Sequence, residues 1–219
     1  MAVTARVLID GLVSMDEAEF WLLDVVVTGR VHLDWLLWEE LDVALNRPGH
    51  GLDPDALLDL VDRLFRGGFI DANGSRRNDD REDLGRSLHR SEIEAALHGC
   101  GPGFCYGMTS RGGARWEAVA KPDWSRFLDE SAGTDPDDVE VAGLGRDRVA
   151  SHLRRHTLWA VVPGSERWET LIPWQATYWK TIPRGYRVTA DCQREAPTKT
   201  PDWDAYERWI HWYNNPFEA

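Results

Sequence analysis

Residues 53–74 read DPDALLDLVDRLFRGGFIDANG. Asp53 is a favoured N-cap and Pro54 a favoured first helical residue, since its missing N–H is one that a helix start leaves unbonded anyway. Behind them Leu57, Leu58, Leu60, Val61, Leu64 and Phe65 recur at helical spacing, and Gly67-Gly68 ends the pattern. Phe69 to Ala72 then reads as a short strand, and Asn73-Gly74 as a turn. A capped amphipathic helix that breaks directly into a strand sets the expectation of an α+β fold.

Two helical patterns precede this stretch. Ser14 and Glu17 have capping-box spacing, and Ala18, Trp21, Leu22, Val25 and Val26 predict a first helix over about 15–28, ended by Gly29. Leu33, Leu36, Leu37, Leu41 and Ala44 predict a second from about His32 to Leu45, closed by the turn-forming run Asn46 to Gly51. After Gly74 the chain turns polar from Ser75 to Arg90, where Arg76, Arg77, Arg81, Arg86 and Arg90 interleave with Asp79, Asp80, Glu82 and Asp83, and a mobile loop is expected. Ser91 and Glu94 cap a short helix through Leu97. Gly99, Gly101, Pro102 and Gly103 break it, and Phe104 to Met108 forms a strand that Thr109 leads into a helix over Arg111 to Glu117.

Three helices, a strand, a returning strand and a further helix, in that order, resemble a winged helix over residues 14 to about 120. Leu57 to Ile70 is similar to a recognition helix leading into the first wing strand, and Tyr106-Gly107-Met108-Thr109-Ser110-Arg111-Gly112-Gly113 to the junction after the wing. The long insertion between the two strands departs from that pattern and makes the wing atypical.

Beyond it, the acidic tract Asp135 to Asp138, following Ser131-Ala132-Gly133, reads as a linker. Residues 1–130 are thus expected as a winged-helix-like domain and residues 136–219 as a small aromatic-rich α+β domain. In the latter, Val139 to Val141 is strand-like and Arg146 to Arg155 helical. Leu158 to Val162, Trp168 to Ile172, Ala176 to Thr181 and Tyr186 to Ala190 are strand-like runs split by prolines and glycines. Helix plus antiparallel meander follows, with two-stranded and four-stranded versions both open, and Thr200-Pro201-Asp202 caps a C-terminal helix through Tyr213.

Composition narrows the function. Of 219 residues 12 are Trp, so aromatic packing should dominate the core and contribute to an interface. Lys plus Arg is 25 and Asp plus Glu is 37, a formal charge of −12, which disfavours nonspecific attraction to phosphate. There is no long apolar run and no apolar leader at the N-terminus, and the 3 cysteines are too few for a disulfide scaffold, so a cytoplasmic location without membrane contact is expected. Only Lys121, Lys180 and Lys199 are lysines, an arginine bias typical of high-GC bacterial genomes.

A groove-reading third helix needs cationic or amide side chains, yet this one carries Asp53, Asp55, Asp59 and Asp62. Residues 1–70 hold 13 acids against 5 arginines. Cys100, Cys105 and His98 do not complete a four-ligand metal set, and His152 with His156, four apart on one helix face, reads better as part of a basic surface with Arg148, Arg154 and Arg155. Gly143 to Arg148 lacks the third glycine of a dinucleotide loop and the Gly-Lys-Ser/Thr ending of a nucleotide loop. No nucleophile elbow or nucleophile-plus-base motif is present, so no catalytic residue, metal or cofactor is assigned.

The unusual local feature is the aromatic and cationic group Trp174, Tyr178, Trp179, Arg184 and Tyr186, a composition favoured at protein interfaces. The expectation is therefore a non-catalytic bacterial protein-interaction protein, of adaptor, antagonist or immunity type, contacting its partner through these five residues. The alternative is a winged-helix DNA-binding transcriptional regulator using Arg63, Arg66, Arg76, Arg77 and Arg81.

Overall fold

The computed structural model describes residues 15–45, 47–74, 85–100, 103–132, 137–155, 160–193 and 217. Residues 75–84 of the expected mobile arginine loop and the C-terminal helix expected over Thr200 to Tyr213 lie outside them, whereas the loop's last residues, 85–90, are built into the fold, with Arg86 bridged to Ala72, Leu88 buried and Arg90 opening a helix. The architecture is α+β with antiparallel sheets, in two compact units, Met1–Lys121 and Pro122–Ala219. The boundary precedes the acidic tract because residues 128–132 hydrogen-bond into the second unit's sheet.

In the first unit, helix α1 spans Glu17–Asp24, with the Asp16 carboxylate accepting the Glu19 N–H at 2.7 Å. It stops short of the expected 28 at Val25-Val26-Val27, three successive β-branched residues that crowd a helix. The helix expected over 32–45 is three pieces instead: strand β1 (Val31–His32), a 3-10 helix (Leu33–Leu37) and α2 (Leu41–Leu45), with Trp38 extended between the last two. Pairing of Val31 and His32 with Tyr106 and Cys105 takes the first residues out of the helix, a contact too distant in sequence for periodicity to reveal.

Helix α3 (Pro54–Arg66) has the predicted cap, the Asp53 carboxylate accepting the Ala56 N–H at 2.9 Å, and all six predicted apolar positions are buried. Asp53→Ala should lower stability by about 1 kcal/mol, read as an earlier urea midpoint, whereas Asp53→Ser should restore most of it. Strand β2 (Ile70–Gly74) runs through Asn73-Gly74 rather than turning there, because its partner is β3 (Phe104–Met108), far along the chain. The intervening chain returns along the other edge of β2, where Arg86 exchanges backbone hydrogen bonds with Ala72, and then forms α4 (Arg90–Leu97). The α4 cap sits two residues ahead of the predicted Ser91: the His89 N–H donates to the Glu92 carboxylate at 2.9 Å. That bond, and then Arg86, hold the Glu92 carboxyl below the usual range.

The sheet order is β1-β3-β2, and the register puts Val31, Tyr106 and Ala72 on one buried face. Arg30 crosses β3 at Gly107 to reach Asp71 at 2.6 Å, and a Cβ at Gly107 would lie 2.8 Å from the Arg30 guanidinium. Helix α5 (Ser110–Ala120), capped by Thr109, joins α1 through Trp116 Nε1 donating to Asp24 and an Arg115–Glu19 ion pair.

The second unit is a sheet centred on β10 (Gly185–Gln193). One edge pairs with β5 (Asp138–Gly143), which pairs in turn with β4 (Leu128–Ala132); the other edge takes β7 (Arg167–Leu171) and β6 (Ala160–Val161) in succession. Helix α6 (Arg146–Arg155), with the predicted bounds, packs Val149 and Leu153 over Val139, Val141, Val188 and Ala190. Beneath it the buried His152 Nε2 lies 2.6 Å from the Glu130 carboxylate, so His152 belongs to the interior and not to the expected basic surface. The run expected as one strand over Ala176 to Thr181 is a tight hairpin, β8 (Trp174–Gln175) to β9 (Thr181–Ile182), closed by hydrogen bonds among Ala176, Thr177 and Lys180.

Candidate functional site

The surface of α3 decides between the two functional classes. Its outward residues include Asp53, Asp55, Asp59, Arg63 and Arg66. Arg63 reaches back to the α1 cap, 3.2 Å from Asp16 and 4.0 Å from the buried Glu19. Arg66 pairs with Asp62 at 2.7 Å, one turn earlier. From α4, Arg90 sets its guanidinium 2.6 Å from Asp59 and 3.8 Å from Asp62, and the Asp59 hydrogen bond raises its pKa above the ordinary value. Arg63, Arg66 and Arg90 thus already face carboxylates of their own chain, and binding phosphate would have to displace those carboxylates. Arg76, Arg77 and Arg81 lie outside the described residues.

The five aromatic and cationic residues expected to form one contact patch are not brought together as one. Trp174 is 2% and Trp179 8% exposed, so both belong to the interior. Trp174 covers Gly185, where a Cβ would meet its indole at 2.7 Å, and faces Phe127 at 6.3 Å between ring centres. Trp124 joins Trp179, Phe127 and Phe217 in edge-on contacts of 5.2–5.8 Å. Lys180 lies over the Trp124 ring at 5.3 Å. These indoles fill a second core on the sheet face opposite α6, because β8 and β9 fold back over that face. Tyr178 is half-buried in the hairpin turn. Tyr186 is half-buried on the α6 side, with the exposed Arg184 guanidinium 5.2 Å from its ring centre.

Unanticipated in the sequence is a surface on the first unit. His32, Trp35 and Trp38 form a ladder with ring centres 5.3 Å and 6.1 Å apart and planes tilted by 33° and 32°. Trp35 is 39% and Trp38 53% exposed, and Val43 on α2 is exposed as well. Helical spacing in 32–45 points to the leucines and leaves these indoles off the apolar stripe. Trp is so often buried that its identity alone gives no signal of exposure.

Of the three cysteines, Cys100 is exposed, Cys105 half-buried and Cys192 buried. Burial pushes the Cys105 and Cys192 thiols up. Among the described residues no group of three His, Cys, Asp or Glu is placed to hold a metal ion, and no helix is long and apolar enough to cross a membrane. No protein-family model, no curated protein and no solved structure matches this chain.

Proposed function

We propose that this chain is a non-catalytic protein-interaction protein, of adaptor, antagonist or immunity type, whose first unit has a winged-helix layout turned away from nucleic acid. Supporting the layout is the order α1, β1, α2, α3, β2, β3 with the sheet order β1-β3-β2; α4 is inserted where a wing tip lies. The observation that carries the function is the occupation of Arg63, Arg66 and Arg90 by Asp16, Asp62 and Asp59. Groove-reading surfaces keep such cations for phosphates and base edges. The exposed Trp35–Trp38 pair supports contact with a protein, since aromatic anchors dominate such interfaces.

Titration of a labelled mixed-sequence DNA duplex at low salt is expected to give no saturable complex, with Arg63→Ala/Arg66→Ala behaving as the parent protein does. Affinity capture from the native host should retain a protein after nuclease treatment. A salt-sensitive DNA complex weakened by the double variant would overturn the reading in favour of a transcriptional regulator.

A further inference from the structure

We infer that Trp35 and Trp38, together with the carboxylates around them, form the docking surface for an arginine- or lysine-rich segment of a partner protein. This rests on the protein-interaction reading above and adds the chemistry of the partner.

Two neighbouring indoles held in solvent expose apolar area that a monomer gains by covering, Trp35 on the short 3-10 turn between β1 and α2 and Trp38 on the extended residue that follows it. The segment that carries them is of one sign, and α4, which packs against the 3-10 turn, adds Arg90, already paired with Asp59, along with Glu92 and Glu94. Between Arg30 and Arg47 the chain carries Asp34, Glu39, Glu40 and Asp42, all exposed, and no lysine or arginine. The two flanking arginines are committed elsewhere, Arg30 to Asp71 at 2.6 Å and Arg47 to Asp24 at 2.8 Å. Asp34 lies 4.0 Å from His32, and Asp42 accepts the Val43 N–H at 2.8 Å. The side chains of Glu39 and Glu40 have no ion-pair or hydrogen-bond partner among the described residues.

This combination selects a cation with an apolar stem. An indole face attracts a guanidinium or ammonium through its quadrupole, and the methylenes of Arg or Lys can lie along the ring while the head reaches a carboxylate. The same acids repel nucleic acid and anionic lipid, and a purely apolar segment would have to desolvate them without compensation.

The test is fluorescence anisotropy of a labelled peptide of alternating arginine and leucine against the full chain at near-physiological salt, with a glutamine–leucine peptide of equal length as comparison. The arginine peptide should bind saturably and the glutamine peptide much more weakly. Trp35→Ala/Trp38→Ala, which leaves the charge unchanged, should weaken binding about tenfold, and so should Glu39→Gln/Glu40→Gln. Asp55→Asn/Glu166→Gln removes the same charge elsewhere and should leave affinity within about twofold. Circular dichroism confirms that each exposed-site variant is folded. Equal weakening by the two neutralised pairs, or no effect of the indole variant, would reduce the binding to diffuse charge and overturn the proposal. Equal binding of the glutamine peptide overturns the basic chemistry while leaving the protein-interaction reading standing; that reading falls only with the DNA titration above.

Discussion

Gly112→Ala destabilises the first unit by about 3 kcal/mol or more, because the added methyl has no space that a side-chain rotation can open. A Cβ at this position overlaps the Phe69 carbonyl oxygen and comes within 2.9 Å of Met108 Cγ. The carbonyl cannot retreat cheaply. It accepts the Thr109 N–H at 3.0 Å, while the Thr109 hydroxyl donates to the Gly68 carbonyl at 2.7 Å and accepts the Gly112 N–H at 3.1 Å. The end of α3, the start of β2 and the start of α5 meet at this clamp, so a forced shift is felt by all three. Hydrogen exchange should report the loss as faster exchange across α3, β2 and β3 with the second unit unchanged. Gly29→Ala is the matched comparison, since nothing lies within 4 Å of its Cβ position, and should change stability by about 0.5 kcal/mol or less. Similar small effects from both variants would show that the clamp yields and would sink the argument.

Trp174→Ala costs about 3–5 kcal/mol in the second unit, the range for deleting a large buried aromatic side chain. The indole is fully buried and among the largest such side chains of the described residues, and it bridges the β8–β9 hairpin to Gly185 at the start of β10. Its removal leaves Phe127, Ala142 and Ala176 around a cavity. Near-UV circular dichroism should weaken, and amides of β8, β9 and the Gly185 end of β10 should exchange faster. Were Trp174 an interface anchor, as its place in an aromatic and cationic run suggests, alanine would spare the fold and affect only binding. A loss below about 1 kcal/mol would therefore favour the interface assignment.

The legible parts of the fold are those in which local chemistry and burial agree. Asp53, Pro54 and the apolar stripe of α3 specify one helix at every level, and Phe104 to Met108 is a strand whose neighbours are all breakers. The parts that escaped depend on partners distant in sequence. Strand β1 is two residues long and exists only through Tyr106 and Cys105. Strand β4 reads as polar because Glu130 points inward, where His152 receives it. The site was legible in composition and hidden in orientation. Excess tryptophan announces aromatic packing, but only the fold separates Trp174 and Trp179, which fill a core, from Trp35 and Trp38, which face water. The charge row on α3 is plain in the sequence; its pairing with Arg63, Arg66 and Arg90 required three dimensions.

The position of β10 bears on how the second unit is made. A ribosome delivers β4, β5, β6 and β7 before the strand that lies between β5 and the β6 and β7 edge. Until residues 185–193 emerge, β4 and β5 can form only a hairpin, β6 and β7 have no edge to join, and α6 has half a sheet to cover. The nascent chain therefore carries the apolar face of β5 and α6 only partly covered through most of its synthesis, the interval in which chaperone binding matters most. Sheet closure is a late event, triggered by the arrival of one segment.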